Sequence, residues 1–435
     1  MQSSALPLGH AAEEDSPESF NDFNSNTSHS LLIICNGHGE DIIALEIIKR
    51  LLKKIKIKHI EVLPLVGNGD AFNSLQTKKV KKIGHLKELP SGGFSNQSLR
   101  GFLLDLFAGY LVDILKNFLI VIRKSRYNYK VIAVGDFLPL FFAWSSKCEF
   151  SFIGTPKSDH TWSSGPGWAF SDFYHKLKGS EWDPWEILLM RSKRCKSLIM
   201  RDEITAKNLI KKRINAKYFG NPMMDFVHEK NQIISNLVKF HRIILLIGSR
   251  FPEAFSNLDR FLDCLQDLHL SGELVVLLPL TVNANEIRVE SYLRKYGFHK
   301  KDSIEFMIGE DSVWKNQEKY ILLGKNKFNV WANMAKVGLS NAGTATEQIA
   351  GLGVPSLSLP GLGPQFTKAF ANRQSRLLGG CVLVCQNKRI LLNRLRILLN
   401  QDIYRLEQAK IGKERMGRCG ASKRIVDSIN CNLLS

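Results

Sequence analysis

The run Gly338-Leu339-Ser340-Asn341-Ala342-Gly343-Thr344-Ala345-Thr346-Glu347, continuing through Gly351-Leu352-Gly353-Val354-Pro355 to a second short apolar stretch, leaves this chain little choice of fold. It reads as the end of a buried strand, a glycine turn, a helix opening with small polar residues and a Gly-Val-Pro stop before the next strand. That is a βαβ unit with a phosphate-sized opening at its centre. Amides in the first turn of a helix lack intrahelical partners, and the aligned peptide dipoles put partial positive charge there. Gly343 lets a ligand approach the backbone, the hydroxyls of Thr344 and Thr346 can add hydrogen bonds, and Glu347, one turn in, can accept from ribose hydroxyls. The same string also suits a well-capped helix start with no ligand.

The rest of the chain repeats this alternation. An apolar run at 31–35 feeds the turn Asn36-Gly37-His38-Gly39-Glu40-Asp41 and a helix over 42–54, without the spacing of a dinucleotide fingerprint, so NAD or FAD is not indicated. Strands follow at 60–66, at 131–135 ending on Asp136, at 150–155, 197–200 and 218–219. Between the second and third lies an apolar helical stretch, 98–123. Its part 102–122 is long enough to span a bilayer, yet Asp105, Asp113, Lys116 and Asn117 make a span costly. It reads as a buried core helix or as one that contacts a membrane or a lipid acceptor. Residues 156–185 read as one long irregular segment, aromatic enough to be ordered. A polar bridge places a domain boundary at 225–240. A second sheet then starts at 242–247, leads into Gly248-Ser249-Arg250, and continues with strands at 274–280, 304–308, 320–323, 337–340, 356–359 and 382–384. The basic end, 388–432, is helical. The expected organisation is a disordered tail (1–30), an acceptor-binding Rossmann-like domain (31–225), a donor-binding Rossmann-like domain (240–400) and terminal helices (401–435), with the ligand in the cleft between the two α/β domains.

A net charge of +19 favours anionic partners. No nucleic-acid recognition module is present, which leaves nucleotide-sugar phosphates and an anionic membrane surface. The eight cysteines are scattered in apolar runs, as in a reducing compartment, and the acidic N-terminus has no signal-peptide character, so a cytoplasmic location is expected.

Ser340-Asn341-Ala342-Gly343-Thr344-Ala345-Thr346-Glu347 resembles the donor-site signature of lipid-A-disaccharide synthase and, more loosely, that of the peptidoglycan-precursor GlcNAc transferase. The chain as a whole, over roughly 30–430, is similar to the lipid-A-disaccharide synthase-related family. The blocks that carry the likeness are Asn36-Gly37-His38-Gly39-Glu40-Asp41, Leu89-Pro90-Ser91-Gly92-Gly93-Phe94, Val134-Gly135-Asp136, Gly154-Thr155-Pro156-Lys157-Ser158-Asp159, Gly220-Asn221-Pro222-Met223-Met224-Asp225, Gly248-Ser249-Arg250 and Gly363-Pro364-Gln365-Phe366. The resemblance implies the GT-B glycosyltransferase fold, with a C-terminal helix crossing back onto the first domain. It implies a UDP-sugar donor, possibly UDP-diacylglucosamine, a lipid acceptor, and peripheral association with the inner face of a membrane. It also implies that Gln365 and Phe366 lie near the donor.

Inverting sugar transfer needs a held diphosphate, an acceptor hydroxyl and a base. Arg250 can neutralise the departing diphosphate beside Gly343 and Thr344. No Asp-x-Asp pair occurs, so a metal-independent reaction without a cofactor is expected. For the base, Asp136 ends an apolar strand where open sheets place ligands, and His38 has a suitable ordinary pKa. The synthase's acidic strand end favours Asp136, but its first turn lacks the Gly-His-Gly found here. Glu40 and Asp41 are read as stabilising a helix start. Asn36, Gly37, Lys157 and Ser158 are candidates for the acceptor. Two other classes remain open: a UDP-sugar epimerase of the same fold, and a non-catalytic nucleotide-sugar-binding protein.

Overall fold

Apolar runs in the first half of the chain pair into a seven-stranded sheet. Its strands are β1 (His29–Cys35), β2 (Ile57–Pro64), β3 (Val80–Lys82), β4 (Lys130–Gly135), β5 (Phe150–Gly154), β6 (Cys195–Met200) and β7 (Ala216–Tyr218). They lie in the order β3-β2-β1-β4-β5-β6-β7, all parallel. Parallel neighbours require crossovers, and crossover helices cover both faces. Leu32, Ile34, Ala133 and Phe152 pack under helices Tyr110–Lys124, Phe137–Ser145, Pro184–Met190 and Glu203–Lys211. Leu31, Ile33, Ile132 and Val134 pack under helices Gly39–Lys54 and Ala421–Ile429. The computed structural model describes residues 29–37, 39–75, 79–85, 110–124, 127, 129–163, 165–167, 170–227, 237–281, 284–301, 306–361 and 366–435.

The second sheet contains β8 (His241–Leu246), β9 (Leu274–Leu280), β10 (His299–Lys300), β11 (Ser312–Asn316), β12 (Lys319–Lys325), β13 (Val337–Ser340), β14 (Ser356–Ser358) and β15 (Val382–Val384). Its order is β10-β11-β12-β9-β8-β13-β14-β15. The β10-β11-β12 edge is antiparallel and the rest parallel.

The chain then returns to the first domain. Asp225 accepts hydrogen bonds from the amides of Ala421 and Ser422 at 3.2 and 2.6 Å, capping helix Ala421–Ile429. Lys54 pairs with Asp427 at 2.6 Å, and the hydroxyls of Ser197 and Ser428 meet at 3.1 Å. Ile425 is fully buried in this seam. Ile425→Val is therefore expected to cost about 1 kcal/mol, read as a lower urea midpoint.

Three expectations need correction. Residues 156–185 are not one irregular loop, because helices His160–Ser163 and Phe170–Lys178 form within them. Residues 306–308 are not strand: their three amides turn onto the Glu310 carboxylate at 2.8–3.0 Å, and the edge is built instead by the β11–β12 hairpin. The first strand begins at His29, inside the stretch expected to be tail. Of the stretch 98–123, the described part is helix Tyr110–Lys124, which buries Val121 and Asn117 yet leaves Val112, Leu115 and Leu119 52, 61 and 52% exposed. Among the described residues no helix is long and apolar enough to cross a membrane.

Candidate functional site

Strand ends of the two sheets meet where helix Thr344–Gly351 opens toward helix Gly39–Lys54. A Cβ placed on Gly39 would lie 3.4 Å from the Thr344 hydroxyl oxygen. Two helix N-termini from different domains therefore face the same space, each with the positive end of its dipole.

The second-domain side is held by a small polar lattice. Asn341 donates to Asn257 at 2.9 Å and to the Leu359 carbonyl at 2.8 Å, and accepts from the Leu359 amide at 3.0 Å. Asn257 in turn donates to the Ile247 carbonyl at 3.0 Å. The ends of β8, β13 and β14 are thereby fixed against one another. Gln374 donates to the carbonyls of Ala342 and Gly343 at 3.2 and 3.0 Å. The Thr346 hydroxyl is fully buried and bonded to the Ala342 carbonyl at 2.6 Å and to Ser340. It braces the turn from behind, whereas Thr344 is exposed. Apart from its own chain neighbours, no described atom lies within 4 Å of a Cβ built on Gly343, so this position at the helix start opens onto free space.

Gly248, at φ +93°, lets the β8 loop that carries Arg250 pass close to Asn341. Burial lowers the Arg250 guanidinium to about 10, against the opposing effect of Glu253, so it remains a cation at neutral pH. Glu253 accepts from the Phe366 amide at 2.9 Å, drawing that loop in as well.

On the first-domain side, Asp136 caps helix Phe137–Ser145 by accepting from the Leu138 amide at 3.2 Å. Gly37, at φ +105°, has no room for a side chain: a Cβ would stand 2.3 Å from the Val66 carbonyl oxygen. Asn36 packs beside Gly135 at the end of β4. Glu40 is the residue whose role was missed. Its carboxylate accepts from the Thr155 hydroxyl at 3.2 Å. Burial pushes its pKa up to about 7, Asp136 adds to the rise, and hydrogen bonds from its own amide and Thr155 oppose it. The sequence signal was available, since Glu40 and Asp136 follow neighbouring central strands, but Glu40 reads most simply as a favourable first-turn acid.

Arg201 was also missed. Nearly buried at the end of β6, it donates to the Thr155 carbonyl at 3.0 Å and pairs with Glu347 across the cleft at 2.8 Å. The Glu347 carboxylate is thus engaged with the first domain. Lys157 pairs with Glu186 at 2.6 Å, and the buried Ser158 donates its amide to Glu181 at 2.9 Å, which ties both into the segment behind the strand end. His38 and Gln365 lie outside the described residues.

No family model matches the chain, and no curated protein matches it. Solved structures do resemble it. A UDP-GlcNAc 2-epimerase from Neisseria meningitidis, bound to UDP-GlcNAc, is 16% identical with a TM-score of 0.52, over 93% of this chain and all of that one. MurG from Acinetobacter baumannii is 12% identical with a TM-score of 0.53, over 93 and 99%. A UDP-glucosyltransferase from Polygonum tinctorium is 12% identical with a TM-score of 0.55, over 94 and 99%. The fold is GT-B: α/β, with two Rossmann-like domains facing a cleft.

Proposed function

We propose that the chain is a glycosyltransferase that moves a sugar from a UDP-linked donor to an acceptor hydroxyl by direct displacement with inversion. One observation carries this reading: the open glycine start of helix Thr344–Gly351 lies across the cleft from the Glu40 and Asp136 carboxyl groups. Amides at 344 and 345 receive the donor diphosphate, and Arg250 opposes the charge that grows on it as the sugar leaves. Glu347, released from Arg201, accepts from the ribose. Glu40 or Asp136 takes the proton of the attacking hydroxyl. His38 is the remaining candidate for that role, and Gln365 for a contact with the donor.

The finer reading is a lipid-A-disaccharide synthase-like reaction: UDP-diacylglucosamine as donor, a lipid as acceptor, and peripheral attachment to a membrane face. Its support is the sequence likeness, the charge of +19 and the exposed apolar side chains of helix Tyr110–Lys124.

The neighbouring carboxyl groups favour one second reading, a UDP-sugar 2-epimerase, because acid-base work at a sugar carbon also needs such a pair. The deciding experiment incubates the full chain with UDP-diacylglucosamine and diacylglucosamine 1-phosphate, and separately with UDP-GlcNAc alone. UDP release that requires the lipid acceptor supports the transferase. A C2-epimerised sugar nucleotide formed without acceptor overturns it.

A further inference from the structure

The cleft leaves a second cavity unexplained, of about 510 Å³, on the flank of the first domain. Lys178, Arg191, Lys211, Lys212 and Arg213 line it, and no carboxylate does among the described residues. Its apolar floor is Trp182, Pro184 and Ile187. Lys211–Arg213 form the turn from helix Glu203–Lys211 into β7. In a parallel sheet that turn is at the opposite edge from the strand ends that form the cleft.

The cations are held in place with little neutralisation. Arg191 donates to the Lys212 carbonyl at 3.1 Å, and Lys212 donates to the Lys178 carbonyl. Among the described residues, Lys178 is the one of these cations that pairs with an acid, Asp183. Arg213 stands at φ +62° just past the helix end, where glycine is usual, so a long cation is kept at a position that disfavours side chains. Trp182, a floor residue, is fully buried, and among the described residues its indole N–H has no hydrogen-bond partner.

The two helices beside the cavity are apolar on the outside. Helix Phe170–Lys178 turns Asp172 inward to Arg376 at 3.7 Å and leaves Phe170, Phe173 and Leu177 84, 64 and 79% exposed. On helix Pro184–Met190, Trp185 and Leu188 are 55 and 66% exposed. Lys178 ends the first helix and Pro184 begins the second, so these apolar faces adjoin the basic cavity. A basic hollow with an apolar floor beside outward aromatics matches an anionic head on an apolar body.

We propose that this cavity binds the phosphate of an anionic phospholipid headgroup, with the outward faces of the two adjoining helices entering the acyl boundary, so that the first domain docks on a bilayer by its flank. The proposal rests on the membrane-surface part of the function above. It is read by binding without turnover, so absence of sugar transfer leaves it standing.

The test is flotation of the full chain with vesicles of phosphatidylcholine, alone or mixed with phosphatidylglycerol. Lys211→Glu with Arg213→Glu should weaken binding to the mixed vesicles by about 30-fold or more, at roughly one factor of five per basic residue near the surface. Lys49→Glu with Lys53→Glu, on the helix covering the other face of the sheet, makes the same change in net charge and should cost less than about 3-fold. Trp185→Ser with Leu188→Ser should also release the protein while keeping the cavity's cations. Equal loss in the two charge-reversed proteins would overturn the site in favour of net charge alone. Binding that glycerol 3-phosphate displaces from the cavity at concentrations leaving Trp185 and Leu188 irrelevant would assign it to a soluble phosphate compound instead. Indifference to phosphatidylglycerol would overturn it altogether.

Discussion

Glu40→Gln is expected to lower kcat by about a thousandfold, within the range for loss of a general base, with little change in the KM for donor. The substitution keeps the size of the side chain and its hydrogen bond with Thr155, so the fold should be intact. The pH profile gives the sharper test. A base must be deprotonated to act, so activity of the wild type should rise through about pH 7, where burial has pushed Glu40. Asp136 contributes to that rise, and Asp136→Asn should therefore move the rising limb to lower pH. Were Asp136 itself the base, the same variant would be inactive and no limb would remain to shift. Stability offers an independent reading. A carboxyl whose folded pKa is raised from 4.5 to about 7 binds a proton in the fold that the unfolded chain has already lost. Its contribution is fully present below about pH 4.5 and is lost as pH rises through 7. Glu40→Gln should flatten that fall in the urea midpoint. An unchanged profile in both variants would direct attention to His38.

The central strands of both sheets were legible because buried parallel strands are short, nearly continuous apolar runs bounded by glycine turns, whereas the edge strands β3, β10 and β11, two or three residues long or interrupted by polar side chains, carry no such run. The runs that became β1, β4, β8 and β9 could hardly be anything else. The turn at Gly343 was legible for the same reason: small polar residues between a strand and a helix have few other uses. What escaped notice depends on distance along the chain. Arg201 and Glu347 are 146 residues apart and meet only after both domains fold. Asn341 reads as part of a turn, yet it ties three strand ends together through Asn257, 84 residues away. Glu40 was visible as an acid at a helix start, and local preference explained it fully; only the approach of Thr155 and Asp136 gives it another use. Residues 156–185 failed differently. Helix Phe170–Lys178 turns its apolar side outward and its Asp172 inward, inverting the pattern by which helices are recognised.

Gly343→Val should leave the protein folded and reduce kcat/KM for the donor by a hundredfold or more, about 2.7 kcal/mol of lost binding in the transition state. Two glycines of the same segment make the comparison. A Cβ on Gly338 would stand 2.3 Å from the Ser356 hydroxyl oxygen and 2.6 Å from the Ile349 side chain. That glycine serves packing, and Gly338→Val should destabilise the fold by about 1–3 kcal/mol through overpacking. A Cβ on Gly343 would meet no described atom within 4 Å beyond its own chain neighbours, so packing gives no reason for a bare backbone. The fold loses only the small preference for glycine over valine as a helix cap, about 1 kcal/mol or less. A ligand that must come close to the amides behind it gives a reason for glycine that packing does not. Binding of UDP by calorimetry separates the cases. Loss of UDP binding with a near-normal urea midpoint places the diphosphate at this helix start. Retained UDP binding in Gly343→Val would move the donor elsewhere in the cleft and leave Arg250 without the role assigned to it.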